Sequence, residues 1–189
     1  MRLKHETKTV TIAAHQVAMN FATMLYMVPL SISSALTILV GFEVGAKRGK
    51  DARLYSYLGM GMSIGMACIC ASILLLFREH VAALYSREGA VIQMAQHFLI
   101  YAVFFQLSDA LAAPIQGTLR GYKDVNITFL TVCISYWVIG LPSGYYMASY
   151  TPLGASGYWI GLILGLAVSA ISLSIRLLYV QGRQRVLRG

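Results

Sequence analysis

A single carboxylate, Asp109, sits inside a long apolar run from about Val91 to Leu119, with roughly 18 residues before it and ten after it. In a helix rising 1.5 Å per residue this depth puts it about 15 Å from the nearer end of the run. That is close to the midplane of a hydrocarbon core roughly 30 Å thick. Gln106 before it and Ala113, Gln116 and Arg120 after it are spaced in steps of three and four and share its face. An acidic side chain at the centre of a membrane helix costs roughly 2.5–3.5 kcal/mol on insertion scales. Such a carboxyl group is expected to hold a proton or a cation such as Na⁺, and to release it when its surroundings change. The plainer reading is that Asp109 caps backbone opened by Pro114 or pairs with Arg120, but Arg120 lies about three turns away near the interface.

A second set of polar residues, Gln16, Asn20, Thr23, Ser31 and Ser34, is interrupted only by Met27 and also falls on one helical face. Polar side chains turned to lipid are costly, so this face is expected to meet other helices or a wet cavity. Helix packing alone accounts for the hydroxyls, whereas Gln and Asn in the same stripe favour a cavity lining. Tyr136 and Trp137 are candidates for a pocket taking aromatic or cationic solutes, with lipid or helix contact equally open for each.

The remaining candidates carry less. Glu43 is followed four residues on by Lys47, a favourable helix pair near an interface. His15 is read as a packing or hydrogen-bonding residue, His97 as an interhelical one, and His5 and His80 as loop residues. No metal-ligand spacing is present. Cys68, Cys70 and Cys133 lie in apolar runs and suggest neither a disulfide nor a metal site. Gly157, Gly161, Gly165 and Ser169, and likewise Gly61 and Gly65, recur every four residues, a spacing that lets helices approach closely.

The elements holding these residues follow from composition. Of 189 residues, 58% are hydrophobic and 12% charged, about half the charge of an ordinary soluble domain. The chain reads as an all-α integral membrane protein with five transmembrane helices, at about 12–45, 54–77, 91–119, 127–150 and 154–180. Pro29, Pro114 and Pro142 fall inside spans and are expected to kink them. Residues 1–11 form an N-terminal segment and 181–189 a basic tail. Lys47, Arg48, Lys50, Arg53, Arg120, Lys123, Arg176, Arg183, Arg185 and Arg188 fall on one side. Arg2, Lys4, Lys8, Arg78 and Arg87 fall on the other. The excess marks the cytoplasmic side, predicting a multi-pass protein of the plasma (inner) membrane with a cytoplasmic C-terminus and an external N-terminus. An external basic N-terminus without a signal peptide predicts at least one further hydrophobic helix upstream. The charge of +8 serves membrane orientation here, and no nucleic-acid partner is expected.

Ile12-Ala13-Ala14-His15-Gln16-Val17-Ala18-Met19-Asn20-Phe21, with Val28-Pro29-Leu30-Ser31 and Val40-Gly41-Phe42-Glu43-Val44-Gly45-Ala46, resembles the multidrug and toxic compound extrusion (MATE) family. Gly117-Thr118-Leu119-Arg120-Gly121-Tyr122-Lys123-Asp124 is similar to a second family signature. Ser135-Tyr136-Trp137 with Gly140-Leu141-Pro142 is similar to a third. The resemblance implies a twelve-helix transporter of two six-helix lobes that exchanges Na⁺ or H⁺ for cationic or amphipathic drugs. It places this chain over helices eight to twelve, a partial C-terminal lobe, so the N-terminal lobe and seventh helix would be its missing partners. Asp109 matches the acid that helps form the C-lobe cation site in the bacterial Na⁺-coupled branch. A tyrosine frequent four residues before that acid is Phe105 here, which removes one hydroxyl.

These readings predict a cation-coupled drug antiporter portion, not competent alone, with no cofactor beyond the coupling ion and no metal beyond Na⁺ at Asp109. The candidate cavity lining is Gln16, Asn20, Thr23, Gln106, Gln116 and Tyr136. A lipid-linked oligosaccharide flippase of the same superfamily would favour a large basic cavity, and no Lys or Arg lies at mid-depth. An intramembrane enzyme would need clustered His, Asp or Ser, and Asp109 has no acid or histidine partner at its depth. A structural remnant that only associates with other helices is the remaining alternative.

Overall fold

The computed structural model describes residues 2–85, 89–152 and 154–186. Arg87 and Arg188, two of the charges that set the expected orientation, lie outside the described residues. The same holds for the side chains of Arg2, Lys4, Lys8, Arg78 and Arg185. Among the described residues the chain is built from helices: α1 (Arg2–Gly45), α2 (Gly49–Tyr85), α3 (Gly89–Gly121), α4 (Val125–Cys133), a π turn (Ile134–Gly140), α5 (Leu141–Tyr150) and α6 (Ala155–Val186). α4, the π turn and α5 run on as one span. Five stretches are long and apolar enough to cross a membrane: Val10–Gly45, Gly49–Phe77, Ile92–Gly121, Val125–Tyr150 and Ser156–Arg183.

Several helices outrun their expected ends. α1 extends back to Arg2 and α2 on to Tyr85, so His5 and His80 lie in helices rather than loops. α2 bends at Phe77, whose φ of −110° and ψ of 16° leave the helical region just where its apolar span ends. α6 continues to Val186, carrying Gln181 and Arg183 of the basic tail in helical form.

α3 is the central element. It packs on α1, α2 and α6, and 61% of its apolar stretch is buried, against 17% for the fourth span. The tightest join is with α1. A Cβ on Gly117 would come within 2.1 Å of the Ser33 carbonyl oxygen, and one on Gly121 within 2.9 Å of the Val40 side chain. Only glycine lets two backbones meet this closely. Thr37 Oγ1 donates toward the carbonyls of Ser33 and Gly117, both at 3.0 Å, across the same contact.

α6 receives the fourth span in a like manner. Cβ atoms on Gly157 and Gly161 would press into the α5 backbone at 2.5 Å and 2.3 Å, which is the close packing expected of that stripe. Gly61 and Gly65 of α2 differ: a Cβ added at either would meet no other element within 4 Å. Among the described residues their spacing serves no helix contact, and α2 turns a long apolar face outward at Leu58, Met62, Met66, Ile69 and Ile73.

The turns after α1 and α3 are built alike. Lys47 and Lys123 take left-handed φ values of 61° and 63°. Arg48 N–H then donates to Glu43 O and Asp124 N–H to Leu119 O, closing the carbonyls each helix would leave open. The reversal at Lys47 carries that side chain away from Glu43. Glu43 therefore pairs with Arg48 at 2.7 Å, not with the expected Lys47. Asp124 holds Arg176 of α6 through both carboxylate oxygens at 2.6 and 3.1 Å, and Arg53 donates to the Gln181 carbonyl, tying α2 to α6. Tyr122 is buried in this end beside Gln181 and Ser56, and burial pushes its phenol above the usual range.

At the opposite end Trp159 Nε1 donates to His15 Nδ1 at 3.1 Å, with Phe98 edge-on to the His15 ring. His15 thus joins α1, α3 and α6 as a hydrogen-bonding residue. His97 is exposed, and its ring lies against Tyr101 of its own helix rather than between helices.

Candidate functional site

The structure buries Asp109 to 6% exposure on α3. It opens on a cavity of about 220 Å³ between α1, α3 and the π turn, lined by Met19, Ala22, Thr23, Tyr26, Phe105, Asp109 and Tyr136. Among the described residues no hydrogen bond or ion pair reaches the Asp109 carboxylate, while Tyr26 and Tyr136 both lie within its electrostatic reach. The site therefore holds one ionisable carboxyl, three hydroxyl-bearing side chains and an apolar remainder. A charge there has little but a proton, a metal cation or a cationic ligand to offset it.

Three helical elements position these groups. α1 supplies Thr23 and Tyr26 from adjacent turns, and its rotation is fixed by two contacts with α3. Further along is the close approach at Ser33 and Gly117. Nearer the site, Gln106 Nε2 donates to Leu25 O at 3.1 Å. That carbonyl lies four residues before Pro29, which has no N–H to return to it, so a side chain of α3 completes the α1 backbone. Ser33 Oγ donates to Ala113 O at 2.6 Å, and Arg120 donates to Ser33 Oγ at 2.9 Å. Arg120 is thus engaged with Ser33, and no ion pair joins it to Asp109 among the described residues.

Of the residues expected at a cavity, the structure brings Thr23, Asp109 and Tyr136 together. Gln106 is buried but serves the α1 backbone, and Gln116 lies further along α3, outside the lining. Gln16 and Asn20 are exposed on α1 and bond each other at 3.0 Å. Thr23, Ser31 and Ser34 are exposed as well, each hydroxyl returned to a carbonyl four residues back. The polar stripe is therefore one outward face that reaches the cavity only at Thr23. Trp137 is 71% exposed and points away from the site.

Tyr26, Met19, Ala22 and Phe105 complete the lining without having been singled out as cavity residues. The available signal was the strip Met19, Thr23, Tyr26, stepped by four and three. Among the described residues no group of three or more His, Cys, Asp or Glu side chains could hold a metal ion. Any metal cation here would rest on Asp109 and neutral oxygens.

A model of the MatE family matches residues 5–146. The chain is 62% identical over 175 residues to the protein of Bacillus subtilis named probable multidrug resistance protein NorM. It is 60% identical over 175 residues to the Bacillus licheniformis protein of the same name. Both alignments cover 93% of this chain and 39% of the relative, so the chain spans about two fifths of their length. Among solved structures it superimposes on the eukaryotic MATE transporter AtDTX14 with a TM-score of 0.86 at 24% identity, covering 95% of this chain and 41% of that one. An outward-facing MATE family transporter of the MOP superfamily gives 0.79 at 19% identity, with 95% and 42% covered. These likenesses establish the fold.

Proposed function

The chain belongs to the MatE family, and from that premise we propose that it forms part of a multi-pass membrane transporter that exports cationic or amphipathic drugs in exchange for Na⁺ or H⁺. One observation carries the coupling: a buried carboxylate opens on a cavity at mid-span, and among the described residues no ion pair reaches it. Loading that group with a positive ion removes a large electrostatic cost, and a drug cation competing for the same charge would expel the ion. Binding of the two is then mutually exclusive, which is the thermodynamic requirement for exchange. Drug substrates are carried over from the names of the relatives, and the reading is of a transporter, not an enzyme.

Alternating access needs one bundle to rock against another around a midplane site. This chain supplies five helices and, on our reading, the C-terminal lobe. The outward polar face of α1, with Gln16, Asn20, Ser31 and Ser34, is where the N-terminal lobe and seventh helix would meet it. Expressed alone in an efflux-deficient bacterium, the chain should leave tolerance to ethidium unchanged. Expressed with the remainder of a NorM relative, it should restore ethidium efflux that Asp109→Asn abolishes. Tolerance conferred by the chain alone would overturn the need for a second lobe. Unimpaired cation-driven efflux in Asp109→Asn would overturn the coupling role.

A further inference from the structure

We propose that the Tyr136 hydroxyl is the oxygen that makes the Asp109 site competent for Na⁺, and that the π turn Ile134–Gly140 serves to aim it; this rests on the exchange reading above. Asp109 is the one carboxylate lining the cavity, and its other oxygen-bearing side chains are Thr23, Tyr26 and Tyr136. A hard cation is held by several oxygens, and among the described residues these neutral hydroxyls are the ones placed in the lining to join the Asp109 carboxylate. Thr23 and Tyr26 both come from α1. Tyr136 comes from the fourth span, and an ion bridging Asp109 and Tyr136 would join α3 to that span.

The backbone at Tyr136 is unusual in a way that bears on this. Leu141 N–H donates to Tyr136 O, five residues back rather than four, and Pro142 follows with no N–H to give. A π turn holds one residue more than the α-helical repeat. Each helical residue turns the side-chain direction by about 100°, so the extra residue re-aims Tyr136 relative to α5. Two buried residues fix the turn against α6: Ser135, and Gly140, whose Cβ would meet Gly161 and Gly165 backbone at 3.3 Å. Trp137, Val138 and Ile139 face outward. Tyr136 is the π-turn side chain that enters the cavity.

A phenol suits the position because it both donates and accepts. A phenol hydroxyl can donate to an ionised carboxylate, accept from a protonated one, or turn a lone pair toward Na⁺. Phenylalanine would keep the ring and lose only this oxygen.

The test is binding of radiolabelled Na⁺ to the 189-residue chain in lipid nanodiscs at pH 8. Asp109→Asn is expected to abolish saturable binding, and Tyr136→Phe to weaken it about five- to tenfold, as for one lost polar contact. Deleting Val138, whose side chain is 63% exposed, restores the four-residue repeat and should weaken binding equally with helical circular dichroism unchanged. Binding in Tyr136→Phe within about twofold of wild type, with Asp109→Asn inactive, overturns the Tyr136 role and leaves the Asp109 reading standing. Absence of saturable Na⁺ binding in the wild type overturns this inference, while proton-coupled exchange is judged by the ethidium assay.

Discussion

Gln106 shows what a polar side chain in a membrane helix does when it is not part of a site. Its amide completes the Leu25 carbonyl that Pro29 leaves open, and its Oε1 is buried without a hydrogen bond. Replacing it with leucine should destabilise the chain by about 1 kcal/mol, the range for such contacts in membrane bundles. In a Pro29→Ala background the restored N–H serves Leu25, and Gln106→Leu should become neutral or stabilising. Reversible unfolding in mixed micelles, run as a double-mutant cycle, measures the difference. Equal losses in both backgrounds would mean that the bond to Leu25 is not what Gln106 contributes. The depth of Asp109 was legible from its place in an apolar run. That Gln106 shares its face was legible too, but not that Gln106 serves α1, because the demand for it arises on a proline 77 positions away in sequence.

At the level of elements, two of the helix pairs are joined where side chains are missing. Gly117 against Ser33 joins α1 to α3, and Gly161 against Gly144 joins α6 to α5. Gly161→Ala would place a methyl group 2.3 Å from the Gly144 Cα. It should cost about 1–3 kcal/mol through forced separation of the helices, read as a lowered melting temperature in detergent. Gly65→Ala meets nothing and should be neutral or slightly stabilising, since alanine favours the helix. Equal effects from the two would refute the packing role of the α6 stripe. The four-residue spacing was legible for both helices, but periodicity does not say whether a neighbour is present. The π turn was not legible at all. Its only local cue is Pro142 after Ser135-Tyr136-Trp137, and its width also depends on packing against Gly161 and Gly165, far along the chain.

For the whole molecule, the five spans were readable because hydrophobicity in a bilayer is nearly a length measurement. The helices outran those limits because hydrogen bonding continues past the apolar boundary into polar sequence, as in α2 beyond Phe77. Which members of the α1 stripe reach the cavity was beyond the sequence, since a small rotation set at Gly117 decides it. The basic residues Lys47, Arg48, Lys50, Arg53, Lys123 and Arg183 gather at the end where α1, α3 and α6 finish. On our reading that end is cytoplasmic. A green fluorescent protein fused after Gly189 should fluoresce and alkaline phosphatase fused there should be inactive. The opposite pattern would invert the proposed orientation.

The outward polar flank of α1 has a consequence for the life of the chain in a cell. Inserted singly, it would turn a row of carboxamides and hydroxyls at Gln16, Asn20, Ser31 and Ser34 toward acyl tails, a cost that a covering helix removes. Its abundance should therefore follow the supply of whatever covers that flank, rather than its own rate of synthesis.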